Sequence, residues 1–122
     1  MTLAHTIHFE GSQGNADLDS LFDGSVTYSC IQPALAQKLG MLHPLPKPRE
    51  IKTSGESFLS EHAVLLDFYL NDFRLNDEFM LVSNLTQQVI IGELTMRKWK
   101  IKLNFETGEI TPDPRAGKII LR

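Results

Sequence analysis

Residues 21–31 read Leu21-Phe22-Asp23-Gly24-Ser25-Val26-Thr27-Tyr28-Ser29-Cys30-Ile31. An apolar pair delivers a carboxylate to a run of small turn-forming residues. The β-branched and aromatic segment Val26–Ile31 that follows reads as a strand. Further on, Val89-Ile90-Ile91 ends on Gly92. That run is apolar at every position, the pattern of a short strand buried on both faces. An Asp-Gly-Ser triplet alone marks only a turn, since all three residues favour turns. Its surroundings give it weight.

Upstream, Leu3, His5 and Ile7 alternate with Ala4, Thr6 and His8 as a first strand, closed by Gly11-Ser12-Gln13-Gly14-Asn15. Residues Ala16 to Phe22 then carry the chain into the Asp23 turn. Downstream, Pro33-Ala34-Leu35-Ala36-Gln37-Lys38-Leu39-Gly40 is a short helix signal, with proline at its first position, Lys38 in its last turn and Gly40 as C-cap. Pro44, Pro46 and Pro48 force the next connector to be extended. Glu50 to Ser60, centred on Gly55, reads as a mobile hairpin. Ala63–Leu70, a turn at Asn71-Asp72 and Phe73–Val82 form a longer hairpin, with Val64, Leu66, Phe68 and Leu70 on one face. Gly92–Trp99 is a brief helix. Ile101, Leu103 and Phe105 alternate into the Glu106–Glu109 turn, and Lys118–Arg122 reads as a closing strand. Many short strands with one or two short helices predict a mostly-β, small closed barrel.

The chain has 122 residues, 42% hydrophobic and 22% charged, with a net charge of −3. These values fit a single soluble domain over residues 1–122. Lys and Arg are scattered without a basic stripe, which argues against nucleic acid or an anionic membrane as partner. No apolar stretch approaches the roughly eighteen residues of a membrane helix, and Met1–Glu10 lacks the charged and apolar regions of a signal peptide. Cys30 is the only cysteine, so no internal disulfide is possible. A reducing, cytoplasmic setting is expected.

Other candidate chemistry is thin. His5, His8, His43 and His62 form no spaced ligand set, so no metal and no cofactor is expected. Asp17 and Asp19 share a strand face with Asp23, but read as solvated carboxylates. Cys30 reads as a small buried apolar residue, Trp99 as core filler, and Ser25 and Ser29 have no identifiable base.

With the neighbours in place, the chain resembles the retropepsin-like (retroviral-type) aspartic protease family over about residues 2–110. Leu21–Thr27 stands where the family has an apolar pair and then Asp-Thr/Ser-Gly-Ala-Thr/Ser. Ile31–Gly40 is similar to its following Ile-x-x-x-Leu-Ala-x-x-Leu-Gly helix. Gly55 falls at the glycine of the substrate-covering flap, about residues 50–62. Val89–Gly92 is similar to the strand that props the active-site turn, Ile90, Ile91 and Gly92 supporting it, and Ile101–Gly108 to the closing hairpin. Each motif alone is weak; all of them in order specify a fold. Reading Asp19-Ser20-Leu21 as the triplet instead loses the glycine and breaks this spacing.

The resemblance implies one lobe per chain and an aspartic endopeptidase acting on peptide or protein substrates. Asp23 would be the catalytic residue within the turn Gly24, Ser25, Val26 and Thr27, paired with its own copy across a homodimer axis. The terminal strands, residues 2–8 and 118–122, are expected at the dimer interface. One departure stands out: the triplet reads Asp23-Gly24-Ser25. The family's cross-axis hydroxyl is missing at Gly24, and Ser25 replaces the glycine that leaves room beside the carboxylate. The alternative is therefore a weak or inactive peptide-binding or dimerisation module of the same fold.

Overall fold

A computed structural model describes residues 1–53, 55–113 and 115. Within them run β1 (Thr2–Glu10), β2 (Asn15–Asp23), β3 (Cys30–Ile31), α1 (Pro33–Leu39), β4 (Leu42–Thr53), β5 (Glu56–Leu70), β6 (Phe73–Leu81), β7 (Val89–Ile91), α2 (Glu93–Lys98), β8 (Lys102–Leu103) and β9 (Ile110–Thr111). The architecture is mostly β with two short helices, as the alternation predicts. The expected closing strand at Lys118–Arg122 lies outside the described residues.

Seven strands form one sheet in the order β1-β2-β7-β3-β6-β5-β4, and a further β1–β5 pairing closes all but β4 into a ring. The closing seam is short, only Phe9 opposite Phe68 and Glu10 opposite Asp67. Aromatic packing reinforces it: the Phe79 ring meets Phe9 edge-on at 5.6 Å and Phe68 edge-on at 5.9 Å, centroid to centroid, geometries that add to area burial. Strand periodicity places the rest. Val64, Leu66, Phe68 and Leu70 are all buried in the main cluster. In β7, Val89 and Ile91 face that cluster while Ile90 faces a second one with Val26, Cys30, Ile51, Met80 and Leu85. That explains a strand with no polar position.

Turn chemistry also follows the sequence. Asn71 and Asp72 both adopt positive φ (48° and 68°) between β5 and β6, the conformation two-residue hairpins require and Asn and Asp tolerate. Two expectations need correction. β5 is one uninterrupted strand from Glu56, so the short hairpin at Glu50–Ser60 and the longer one share it. Val26–Ser29 is not a strand: the carbonyls of Val26 and Thr27 accept from Glu93 N (2.7 Å) and Leu94 N (3.1 Å). Tertiary docking takes the groups that a ladder would have used.

A half-buried polar chain crosses the seam. His8 Nδ1 lies 2.7 Å from Asp17 Oδ1 on β2, His8 Nε2 lies 3.3 Å from Glu10 Oε2, and Tyr69 of β5 donates to Glu10 Oε1 at 2.8 Å. The hydrogen bond to Asp17, aided by Glu10, raises the His8 pKa above its ordinary 6.5. A group protonated more readily when folded contributes stability that is full below the unfolded pKa and is lost as pH rises through the folded one. Stability to urea should therefore decline across neutral pH, and His8→Gln should remove part of that decline. An unchanged pH slope in the variant would contradict the role.

Candidate active site

Asp23 closes β2 between two buried anchors. Phe22 before it is fully buried in the main cluster, and Val26 after it is fully buried in the second. The chain between them must reverse within a few residues, and Asp23 organises that reversal. Its main-chain carbonyl accepts from Val26 N at 3.2 Å. Its Oδ1 accepts from Ser25 N at 2.9 Å and from the Ser25 hydroxyl at 2.6 Å. The result is a carboxylate-stabilised turn, with Asp23 half-buried and Gly24, Ser25 and Thr27 exposed.

Behind the turn sits Gly92, at the entry to α2. A Cβ there would lie 2.7 Å from Tyr28 C, 2.8 Å from Val26 O and 2.9 Å from Thr27 O. Only glycine lets the two backbones meet this closely. Gly92 N also donates to Ser29 Oγ at 2.8 Å, and that oxygen shares a 2.6 Å hydrogen bond with Thr95 Oγ1. Ser29 and Thr95 are both buried, so each hydroxyl stabilises the interior by having a partner. With Glu93 N and Leu94 N on the Val26 and Thr27 carbonyls, the first turn of α2 holds residues 26–29 from behind. Ile90 and Ile91 pair with Leu21 and Phe22 in the parallel β2–β7 ladder.

The structure thus brings Asp23, Gly24, Ser25, Val26, Thr27, Ile90, Ile91 and Gly92 into one unit. Gly55 is apart from it, exposed at the tip of the β4–β5 hairpin with φ +83°, and a Cβ there would meet nothing within 4 Å. The hairpin's base does reach the unit. Ile51 and Phe58, opposite one another across β4 and β5, pack on the second cluster with Val26 and Tyr28.

Ser25 is absent from the residues with positive φ, so the extra side chain stores no left-handed strain. Its hydroxyl bonds its own chain's carboxylate. At Gly24 a Cβ would have only Met96 Cε as a neighbour, at 4.0 Å; the position has room for a larger residue. Cys30 is buried, and that burial pushes its thiol up to about 12. It is a packing residue rather than a thiolate nucleophile. Ser29 matters through the Thr95 pair rather than as a nucleophile. Thr95 was legible only as a polar residue within a short helix, and nothing in the sequence linked it to Ser29. Trp99 packs part-buried on the main cluster, and its Nε1 donates to Asn76 O at 2.9 Å.

This combination of strand order, Asp turn and glycine-docked helix is a retropepsin-like fold. The chain is similar to the crystal structure of the retroviral protease-like domain of Ddi1 from Leishmania major, with a TM-score of 0.67 over 93% of this chain and 89% of that one. Sequence identity is 11%, so the likeness is one of fold. No family model matches the chain, and no curated protein sequence matches it.

The two turn glycines should respond oppositely to substitution. Gly92→Ala forces a Cβ into backbone and should cost about 1–3 kcal/mol in urea unfolding. Gly24→Ser, in open space, should stay within about 0.5 kcal/mol of the parent. Equal effects would contradict the docking geometry.

Proposed function

We propose that this chain is one subunit of an aspartic endopeptidase whose active site forms at a homodimer axis from two copies of Asp23. The observation that carries the reading is a half-buried carboxylate fixed by Ser25 at a turn locked from behind, within a retropepsin-like fold. Each chain supplies one such turn. A two-fold axis, which places identical patches face to face, supplies the second carboxylate. Two carboxyls about 3 Å apart share one proton, as in the aspartic proteases that are the standard instance of this effect. The ionised one activates water, and the protonated one polarises the scissile carbonyl. Water is the nucleophile and no cofactor is required.

Several features support this arrangement. Beyond Phe9 and Glu10, β1 pairs only with β2 among the described residues, leaving an edge that folds normally cover. That suits β1 to the dimer interface. The β4–β5 hairpin, with Gly55 at its tip, acts as the flap over an extended peptide, which pairs by strand addition.

A second reading, a peptide-binding module that does not cleave, has one observation in its favour. Gly24 offers no hydroxyl for the axis, and the Ser25 hydroxyl is committed to Asp23 of its own chain. Turnover separates the two readings. The purified chain should be dimeric and should cleave a generic peptide library with a bell-shaped profile on the acid side of neutrality. Asp23→Asn should lower the rate by about a hundredfold or more. Cleavage that survives the substitution, climbs steadily through pH 8 or needs added zinc would overturn the proposal.

A further inference from the structure

The rim of the second cluster holds an arginine that the mechanism does not use. On β4 the pairing with β5 breaks between Pro44 and Arg49. Pro44 faces His62 and Arg49 faces Ser60, so residues 45–48 stand opposite a single residue of β5 as a bulge, with Leu45 packed on the second cluster. Proline at 46 and 48 suits a bulge at a sheet edge, because neither has an N–H to offer. The bulge ends at Arg49, on the same face of the hairpin as Ile51 by strand periodicity.

Arg49 extends its guanidinium over the Tyr28 ring, 5.1 Å from the centroid. Tyr28 belongs to the segment that continues from the Asp23 turn, so the cation lies against the chain that leaves that turn. A cation over a ring face is held there without its N–H groups being occupied. Among the described residues its one hydrogen bond goes to Met80 Sδ, a weak acceptor, at 3.9 Å. Glu78 Oε1 forms an ion pair with it at 3.6 Å, too far for a full hydrogen bond, and the other oxygen of that carboxylate is engaged by His43 Nε2 at 2.7 Å. The Arg49 side chain remains 39% exposed. The guanidinium is thus held over the ring and partly dry, with one long ion pair and one weak hydrogen bond among its five N–H donors.

We propose that Arg49 is a specificity residue that takes a carboxylate side chain of the peptide substrate, three or four residues from the bond cleaved. This inference rests on the endopeptidase reading of Asp23. The spacing comes from the sheet. Leu21, Ile90, Cys30 and Met80 are successive partners across β2, β7, β3 and β6. Three inter-strand spacings of about 4.8 Å separate the Asp23 strand from the Met80 that Arg49 touches, or about 14 Å in all. An extended peptide crosses that distance in about four residues, and the reach of Arg49 back over Tyr28 shortens it. A bidentate carboxylate matches the fork that Glu78 leaves open.

The test is a peptide set carrying Glu, Gln or Lys in turn at each of the four positions on either side of a cleavable bond. It is read by cleavage and, in parallel, by fluorescence anisotropy for binding. The wild type should favour Glu over Gln at one outer position by at least about fivefold. Arg49→Leu should erase that preference, Arg49→Lys should keep part of it, and Arg49→Glu should turn it toward Lys. A merely structural role for Arg49 would not invert selectivity. Cleavage without an acidic preference, or with one that Arg49→Leu leaves intact, overturns this proposal while the peptidase reading stands. Acidic-selective binding that depends on Arg49, without cleavage, supports the proposal while the peptidase reading falls. Neither cleavage nor selective binding overturns both.

Discussion

The close approach of Gly92 to the backbone of Val26, Thr27 and Tyr28 is the constraint on which the rest of this molecule depends. It lets the first N–H groups of α2 satisfy carbonyls that would otherwise be left without partners near the interior. It also fixes where the segment after Asp23 can run. With Phe22 held in one cluster and Val26 in the other, the chain has only a few residues in which to reverse. Asp23 closes that reversal by accepting three hydrogen bonds, two from Ser25 and one from Val26 N. Position of the carboxylate is therefore a property of packing on both sides of the turn, and not of the triplet alone.

This separation of scaffold from triplet explains how the fold accommodates Asp-Gly-Ser. The serine keeps an ordinary backbone conformation, and its N–H reaches the carboxylate as any residue's could. Its hydroxyl adds a second donor to the same oxygen. What the inversion changes is the exposed side of the turn: Gly24 presents no side chain, while the space around it stays open. In the proposed homodimer, the variant acts where the two copies would meet, since within the chain Ser25 takes no left-handed backbone conformation.

Much of this was legible in the sequence because it depends on local rules. The Asn71-Asp72 turn, the period-two face of β5 and the all-apolar β7 each follow from short-range chemistry, and each stands where the pattern puts it. The Asp23 turn was legible by the company it keeps. The exceptions share a cause. Val26–Ser29 has strand-forming residues, yet its carbonyls are claimed by a helix that begins at Glu93, and no local propensity reports that. Ser29 and Thr95 form a buried hydroxyl pair across 66 positions. Arg49 meets Tyr28 just past the break in the β4–β5 register that follows Pro44. These are tertiary facts, written in contacts between distant segments.

The central claim is that the locked turns of two chains bring their carboxylates together. A crystal structure of the assembled protein measures this directly. The account predicts a two-fold dimer with the two Asp23 carboxyl groups about 3 Å apart, close enough to share a proton. A dimer that holds them more than about 10 Å apart, where even the aqueous Debye length would screen them from one another, would contradict it.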